Sequence, residues 1–314
     1  MEGVERASAF SLGYVWERER VLATLMIAPA VLYIVALVGF PFILAILYSL
    51  SDATTGAPSL QIVGLRTFGI VLRDPVFLKA LQNTFIFTLV SQVLVLVLAK
   101  ILALVLMEDF RGKRLVRFLI LLPWTAPISL GAIGWLWMFD SIFSPIDWVA
   151  RSLGFLGGSN ALLGAEPNVY WLGRPILAMA AVILVQTWRI LPLATVILLA
   201  GLTGIPRDVL DAAQVDGASF WRRLFQVVMP MLLPIMSIAF LFGFVFTFTD
   251  MTVVYVLTRG GPVNSTQVLA SWAFLKGIEA GDLAQGAAVA LFLFPALAGV
   301  TALILLLARR AEAS

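Results

Sequence analysis

Two pairs of polar residues lie inside long apolar stretches of the sequence, where they could bind a solute. Gln186 and Arg189 are three positions apart in one stretch, and Thr247 and Asp250 repeat that spacing in another. Residues at this spacing are neighbours on a helix, and polar groups at membrane depth are costly, so they mark a candidate functional site. With Trp124 as a stacking surface, they would suit a hydroxyl-rich solute such as a sugar. The alternative to a solute-binding role is structural. Arg189 and Asp250 would then form an ion pair between helices, or their side chains would extend to the membrane interface.

The elements that must position these residues are membrane-spanning helices. Hydrophobic residues make up 61% of the 314-residue chain and charged residues only 12%, which predicts an all-α polytopic membrane protein. Windows of about twenty apolar residues predict six spans, which are 22–50, 82–107, 115–139, 175–200, 230–256 and 283–308. The predicted organisation is a cytoplasmic segment at 1–21, a permease domain at 22–308 and a cytoplasmic tail at 309–314.

A polar interruption at 201–230 separates the fourth and fifth predicted spans. Pro206 and Asp208 indicate a helix start, because proline fits the first turn and a carboxylate there complements the helix dipole. Gly217 permits the left-handed turn that ends the helix, and Ser219 can cap a second one. The stretch therefore predicts two short helices, joined at a glycine, that form a docking surface.

The distribution of Lys and Arg predicts which side of the membrane this surface faces. Basic residues, among them Arg222 and Arg223, are more frequent in the loops on the side of the N-terminus and of 201–229 than in the other loops. By the positive-inside rule, both termini and the loop at 201–229 are cytoplasmic.

A spaced motif lies inside this loop. Its residues are Asp211, Ala212, Ala213, Gly217, Val227, Met229 and Pro230. The pattern resembles the EAA loop of the membrane subunits of ABC importers, with Asp211 in place of Glu and two other conservative changes. The resemblance implies a coupling helix that sits in a cleft of a cytoplasmic ATPase subunit, whereas an ordinary amphipathic loop is the alternative. The residues assigned to ATPase coupling are Asp211, Ala212, Ala213, Asp216, Gly217, Arg222 and Arg223.

Other motifs resemble the carbohydrate branch of these importers, of the maltose-transporter type. Residues 258–262 read Thr-Arg-Gly-Gly-Pro, a signature that follows the fifth span in that branch, although a generic tight turn is the alternative. Leu122-Pro123-Trp124, and Trp188 with Pro192, are also similar to that branch. The resemblance implies that sugar contacts lie at Trp124, Gln186, Thr247 and Asp250.

The implied partners are a second permease subunit, two ATPase subunits, an extracytoplasmic solute-binding protein and membrane lipid, in an inner membrane. The chain has no phosphate-binding Gly-rich loop of its own, so ATP and Mg²⁺ are expected on the ATPase. It contains no Cys and no His, which argues against metal and thiol chemistry, and we predict no catalytic, cofactor or metal residue. No nucleic-acid signature is present.

Alternative functions stay open from the sequence. An ion-coupled secondary transporter would need intramembrane acids and often inverted repeats, but only Asp250 qualifies and no repeat is evident. A membrane scaffold would not need the polar residues of the pathway. For an importer, a di- or oligosaccharide is the expected solute, and glycerol phosphate or a polyol is the alternative, with Arg189 available to an anion.

Overall fold

The computed structural model describes residues 19–56, 60–158, 161–162 and 164–313. Almost all of the segment predicted at 1–21 lies outside these residues. Within them the chain is helical and forms no strand, apart from one isolated bridge between Ser51 and Ile62. The predicted all-α architecture is confirmed.

The described helices follow one another along the chain and are numbered here in that order. They are α1 Val21–Ser49, α2 Arg66–Arg73, α3 Pro75–Met107, α4 Lys113–Thr125, α5 Ile128–Met138, α6 Pro145–Ser152, α7 Pro175–Thr203, α8 Arg207–Val215, α9 Phe220–Phe248, α10 Thr252–Thr258, α11 Leu269–Phe274 and α12 Leu283–Ala313, and a π-helical turn, Leu275–Glu279, follows α11. Five of them, α1, α3, α7, α9 and α12, are long and apolar enough to cross a membrane.

The third predicted span is not one continuous helix. α4 and α5 meet at a bend of 100°, and together they would make a sixth span. Ala126 between them is extended, with ψ 143°, because the ring of Pro127 disfavours helical geometry in the residue before it. The predicted span 115–139 therefore corresponds to this bent pair of helices.

The fifth predicted span, 230–256, is displaced by about ten residues. α9 begins at Phe220 and ends at Phe248, and residues 252–258 form the separate helix α10. Pro230 was expected to open the span, but a π-helical turn over Leu224–Val228 precedes it, with the Met229 N–H donating to the Leu224 carbonyl. The wider turn lets the helix continue through Pro230, which has no N–H to donate. The second short helix predicted for the loop is therefore the first part of α9.

The centre of the fold is the contact between α3, α7 and α9. Small side chains on α3, such as Ala99 and Ala103, are fully buried and let the helices approach closely. Gly201 on α7 serves the same purpose, since a Cβ there would lie 2.8 Å from the Ile235 side chain. This packing holds the polar residues of α7 and α9 in one layer.

The Thr-Arg-Gly-Gly-Pro turn is fastened to α3. Gly260 has φ +85°, and a Cβ there would lie 1.3 Å from Oε1 of the buried Gln267. The Asn83 amide on α3 donates to the carbonyls of Ser265 and Gln267 at 2.9 and 3.0 Å. The turn is thus tight, as its glycines predict, and also ties the segment between α10 and α11 to the helix bundle.

Candidate functional site

The loop between α7 and α9 has the helix boundaries that its sequence predicts. Pro206, predicted at the first helical position after a cap at Thr203 or Gly204, is itself the N-cap of α8, which begins one residue later at Arg207 with Asp208 in its first turn. Gly217 has φ +75° just after the helix, and its missing Cβ would meet nothing within 4 Å. This glycine is therefore needed for backbone conformation and not for space. The Ser219 hydroxyl accepts a hydrogen bond from the Arg222 N–H at 3.4 Å and caps α9.

The residues assigned to ATPase coupling are presented on the surface of the chain. Asp211, Ala212, Asp216, Gly217 and Arg222 are exposed, and Ala213 and Arg223 are half-buried. Val215 is 88% exposed although it is apolar. In the described chain these residues are therefore accessible to another protein.

α8 lies over a cavity of about 530 Å³ that separates it from the ends of the long helices. Leu210 and Asp211 of α8 line it on one side, and Leu104 of α3, Leu202 of α7 and Leu224 of α9 line it on the others. Leu210 also packs against the buried cluster of α3, α7 and α9, so this side chain joins α8 to the bundle together with the two flanking connections.

The intramembrane polar residues form a cluster that joins three helices. Gln186 on α7 and Gln92 on α3 both donate through Nε2 to the Thr247 hydroxyl on α9, at 3.1 and 3.0 Å. All three side chains are 0% exposed. A bond between membrane helices of this kind contributes about 0.6–2 kcal/mol.

Gln92 is the member of this cluster that sequence reasoning missed. The sequence does carry a signal for Gln92, because it is an amide inside the apolar stretch 82–107. The same criterion, a polar side chain at membrane depth, selects Gln186. Its Oε1 and that of Gln186 are buried, with no hydrogen-bond partner among the described residues. Because the cluster is closed in this conformation, a solute would reach Gln186 and Thr247 only if α3, α7 and α9 separated, and their contact with a solute stays a prediction.

Arg189 and Asp250 form an ion pair, the alternative that the sequence left open. The pair joins α7 to the break between α9 and α10, and the two side chains are 21% and 7% exposed. The Asp250 carboxylate also accepts the Thr252 N–H at the start of α10. The guanidinium charge is thus matched by a carboxylate within the chain.

Trp124, the aromatic residue predicted to contact a solute, lies near the end of α4. Its ring packs edge-on against Phe246 of α9, with centroids 5.6 Å apart, and the residue is 37% exposed. The structure therefore places Trp124 beside α9 and leaves part of its surface open, and its role as a solute contact stays a prediction.

A second polar cluster, at the 258–262 turn, did not follow from the sequence. Tyr255 and Arg259 both donate to Oε1 of Glu279, Arg259 at 2.8 Å. These bonds, that of Tyr255 first, hold the pKa of the Glu279 carboxyl below its ordinary value. The carboxylate therefore stays charged at neutral pH and links α10 to the segment after α11.

The fold and the exposed loop define a class of protein, the multi-pass membrane component of a transport system. Residues 95–312 match the family described as binding-protein-dependent transport system inner membrane component, and the chain belongs to that family. The ABC importer resemblance drawn from the loop motif is confirmed.

Similar proteins cover most of the chain. A trehalose/maltose transport system permease of Thermococcus litoralis is 31% identical over 88% of this chain and 90% of its own length. A sulfoquinovosyl glycerol transport system permease of Agrobacterium fabrum is 30% identical over 93% of this chain and 91% of its own. A bacterial ABC transporter involved in import of the acidic polysaccharide alginate has the same fold, with a TM-score of 0.76, 17% identity, and coverage of 95% of this chain and 98% of its own.

Proposed function

We propose that the chain is the permease subunit of an ATP-driven, binding-protein-dependent importer and forms half of the translocation pathway. A second permease supplies the other half, two cytoplasmic ATPase subunits bind ATP and Mg²⁺, and an extracytoplasmic solute-binding protein delivers the solute. The observation that carries this proposal is the exposed motif of α8, set between two spanning helices in a chain of this family.

The position of α8 supports a mechanical coupling. It connects directly to the end of α7 and, through Gly217, to the start of α9. A force on α8 from the ATPase would act on both helices, which carry Gln186 and Thr247 of the polar cluster. Because α8 is also packed on the bundle through Leu210, we expect a movement of α8 with the ATPase to displace α7 and α9 relative to α3.

The solute that we propose is a sugar, with a di- or oligosaccharide preferred. Relatives about 30% identical to this chain are named for trehalose, maltose and sulfoquinovosyl glycerol transport. Arg189 is paired with Asp250 in this conformation, so its guanidinium does not by itself favour glycerol phosphate over a sugar. Binding assays of the partner solute receptor against sugars, polyols and glycerol phosphate test this assignment.

The coupling proposal is tested by Asp211→Arg combined with Gly217→Asp in the purified complex. We expect the ATPase subunits to dissociate, since the change reverses a charge on the motif and strains a residue at positive φ. Asp109→Arg with Gly112→Asp is a matched control, because Asp109 is exposed and Gly112 also has positive φ in open space. If the ATPase stays bound to the Asp211→Arg and Gly217→Asp variant, the coupling proposal is contradicted. Uptake of the solute that survives ATP depletion but stops with an uncoupler would instead support an ion-coupled secondary transporter.

A further inference from the structure

A cationic and aromatic face lies where the first turns of α9 meet α3. The ammonium of Lys100 on α3 stands 5.2 Å from the ring centroid of Phe225 on α9. That ring stacks on Trp221, with centroids 6.0 Å apart and planes at 16°. Arg222 follows Trp221 in α9, and its Nε donates to Oε1 of Gln226, the residue after Phe225, at 3.0 Å. We call these residues the Lys100–Arg222 face.

This face is left uncovered by the rest of the described chain. Trp221 is 64% exposed and Phe225 57% exposed, large values for aromatic residues. Among the described residues, neither Lys100 nor Arg222 has a carboxylate within ion-pair distance. Two cations without an anion therefore flank two aromatic rings.

The depth of Lys100 decides which kind of anion can reach the face. The apolar stretch of α3 continues to Met107, the end of the predicted span 82–107, so Lys100 lies seven residues, or about 10 Å, inside that end. A lysine at this depth extends its ammonium towards the nearer headgroups. The anion that reaches Lys100 is therefore that of a lipid, because this part of α3 lies within the bilayer.

We propose that the Lys100–Arg222 face binds the headgroup of an anionic phospholipid in the leaflet on the α8 side. A lysine side chain extends its ammonium towards the headgroups, and Arg222 supplies a second donor for the phosphate. Trp221 and Phe225 pack beside the upper part of the acyl chains, as aromatic residues do at membrane interfaces. Bound lipid would then brace the start of α9, directly after the loop that contains α8.

Native mass spectrometry of the assembled importer in detergent tests the proposal. The complex is titrated with dioleoyl phosphatidylglycerol, dioleoyl phosphatidylcholine or inorganic phosphate as separate probes. We expect phosphatidylglycerol to be retained in preference to phosphatidylcholine, and free phosphate not to compete. In Lys100→Met with Arg222→Gln, its affinity should fall about 30-fold, equivalent to about 2 kcal/mol for two basic residues.

The control pair Arg114→Gln with Arg117→Gln removes two cations from α4, which follows the same end of α3. It should retain phosphatidylglycerol, as should Lys100→Arg, which keeps the charge and verifies that the site tolerates substitution. Equal retention of both lipids by the unmodified complex overturns the proposal. A Lys100→Met and Arg222→Gln variant that keeps its lipid but loses the ATPase would assign the face to that subunit and also overturn it.

Discussion

Gly243→Ala perturbs the three-helix polar cluster at a single atom. Gly243 lies on α9 against the Gln92 amide, and a Cβ there would lie 2.1 Å from Oε1 of Gln92. The helix backbone cannot retreat easily, because α9 is packed against α3 and α7 at this level. The amide of Gln92 must therefore move and give up its hydrogen bond to Thr247.

The size of the effect follows from three contributions. Loss of the bond costs about 1 kcal/mol, and repacking of a filled core costs about 1–3 kcal/mol. The better helix propensity of alanine returns about 1 kcal/mol. We therefore expect a net loss of about 1–3 kcal/mol in the free energy of unfolding.

The assay is a double-mutant cycle with Gln92→Ala, followed by denaturant unfolding of the purified permease in detergent micelles. In the Gln92→Ala background, Gly243→Ala should cost almost nothing, which gives a coupling energy of at least about 1 kcal/mol. Gly134→Ala in α5 is the control, since a Cβ there meets nothing within 4 Å. If Gly243→Ala is as well tolerated as Gly134→Ala, or if its cost is unchanged without Gln92, the cluster does not hold these helices together.

Three further changes test other contacts. Gly286→Ala should destabilise the fold by more than about 3 kcal/mol in the same unfolding assay, since its Cβ would lie 2.4 Å from the Cα of Gly277 and neither backbone can yield. Arg189→Met should lower the free energy of unfolding by about 3 kcal/mol, because it leaves the buried Asp250 carboxylate without its partner. Adding Asp250→Asn should restore most of this stability. If it restores none, the ion pair does not stabilise the fold. Because the pKa of Glu279 is depressed, its contribution to the stability of the fold should persist at neutral pH and disappear as acidification protonates the carboxylate. Thermal unfolding at a series of pH values measures this loss of stability, and Glu279→Gln should abolish it. A pH profile that Glu279→Gln leaves unchanged would contradict the role of the cluster.

The sequence predicts the parts of this molecule that depend on local pattern. Long apolar stretches locate the spans, and Gly217 and Ser219 locate the turn and the second helix start, because capping and positive φ are properties of a few adjacent residues. The bend after Thr125 was missed although Pro127 was visible, since proline is often tolerated inside membrane helices. The start of α9 was misplaced because a π-helical turn accommodates Pro230.

The polar cluster required three-dimensional information. Gln92 and Thr247 are 155 residues apart, and no spacing rule connects them. A polar residue in a span can face either a pathway or another helix, and the rotation of the helices against one another decides which. The small residues at the contact of α3 and α7 help to set that rotation.

Coupling through α8 is tested most directly by cross-linking, because the chain contains no Cys and a single introduced thiol is unique. Asp211→Cys, labelled with a photoactivatable maleimide in the assembled importer, should cross-link to the ATPase subunit with a yield that changes when nucleotide is added. Val263→Cys, on the 95% exposed residue of the turn after α10, should not cross-link to it. Cross-linking of the ATPase at Val263→Cys, or none at Asp211→Cys, would contradict the account.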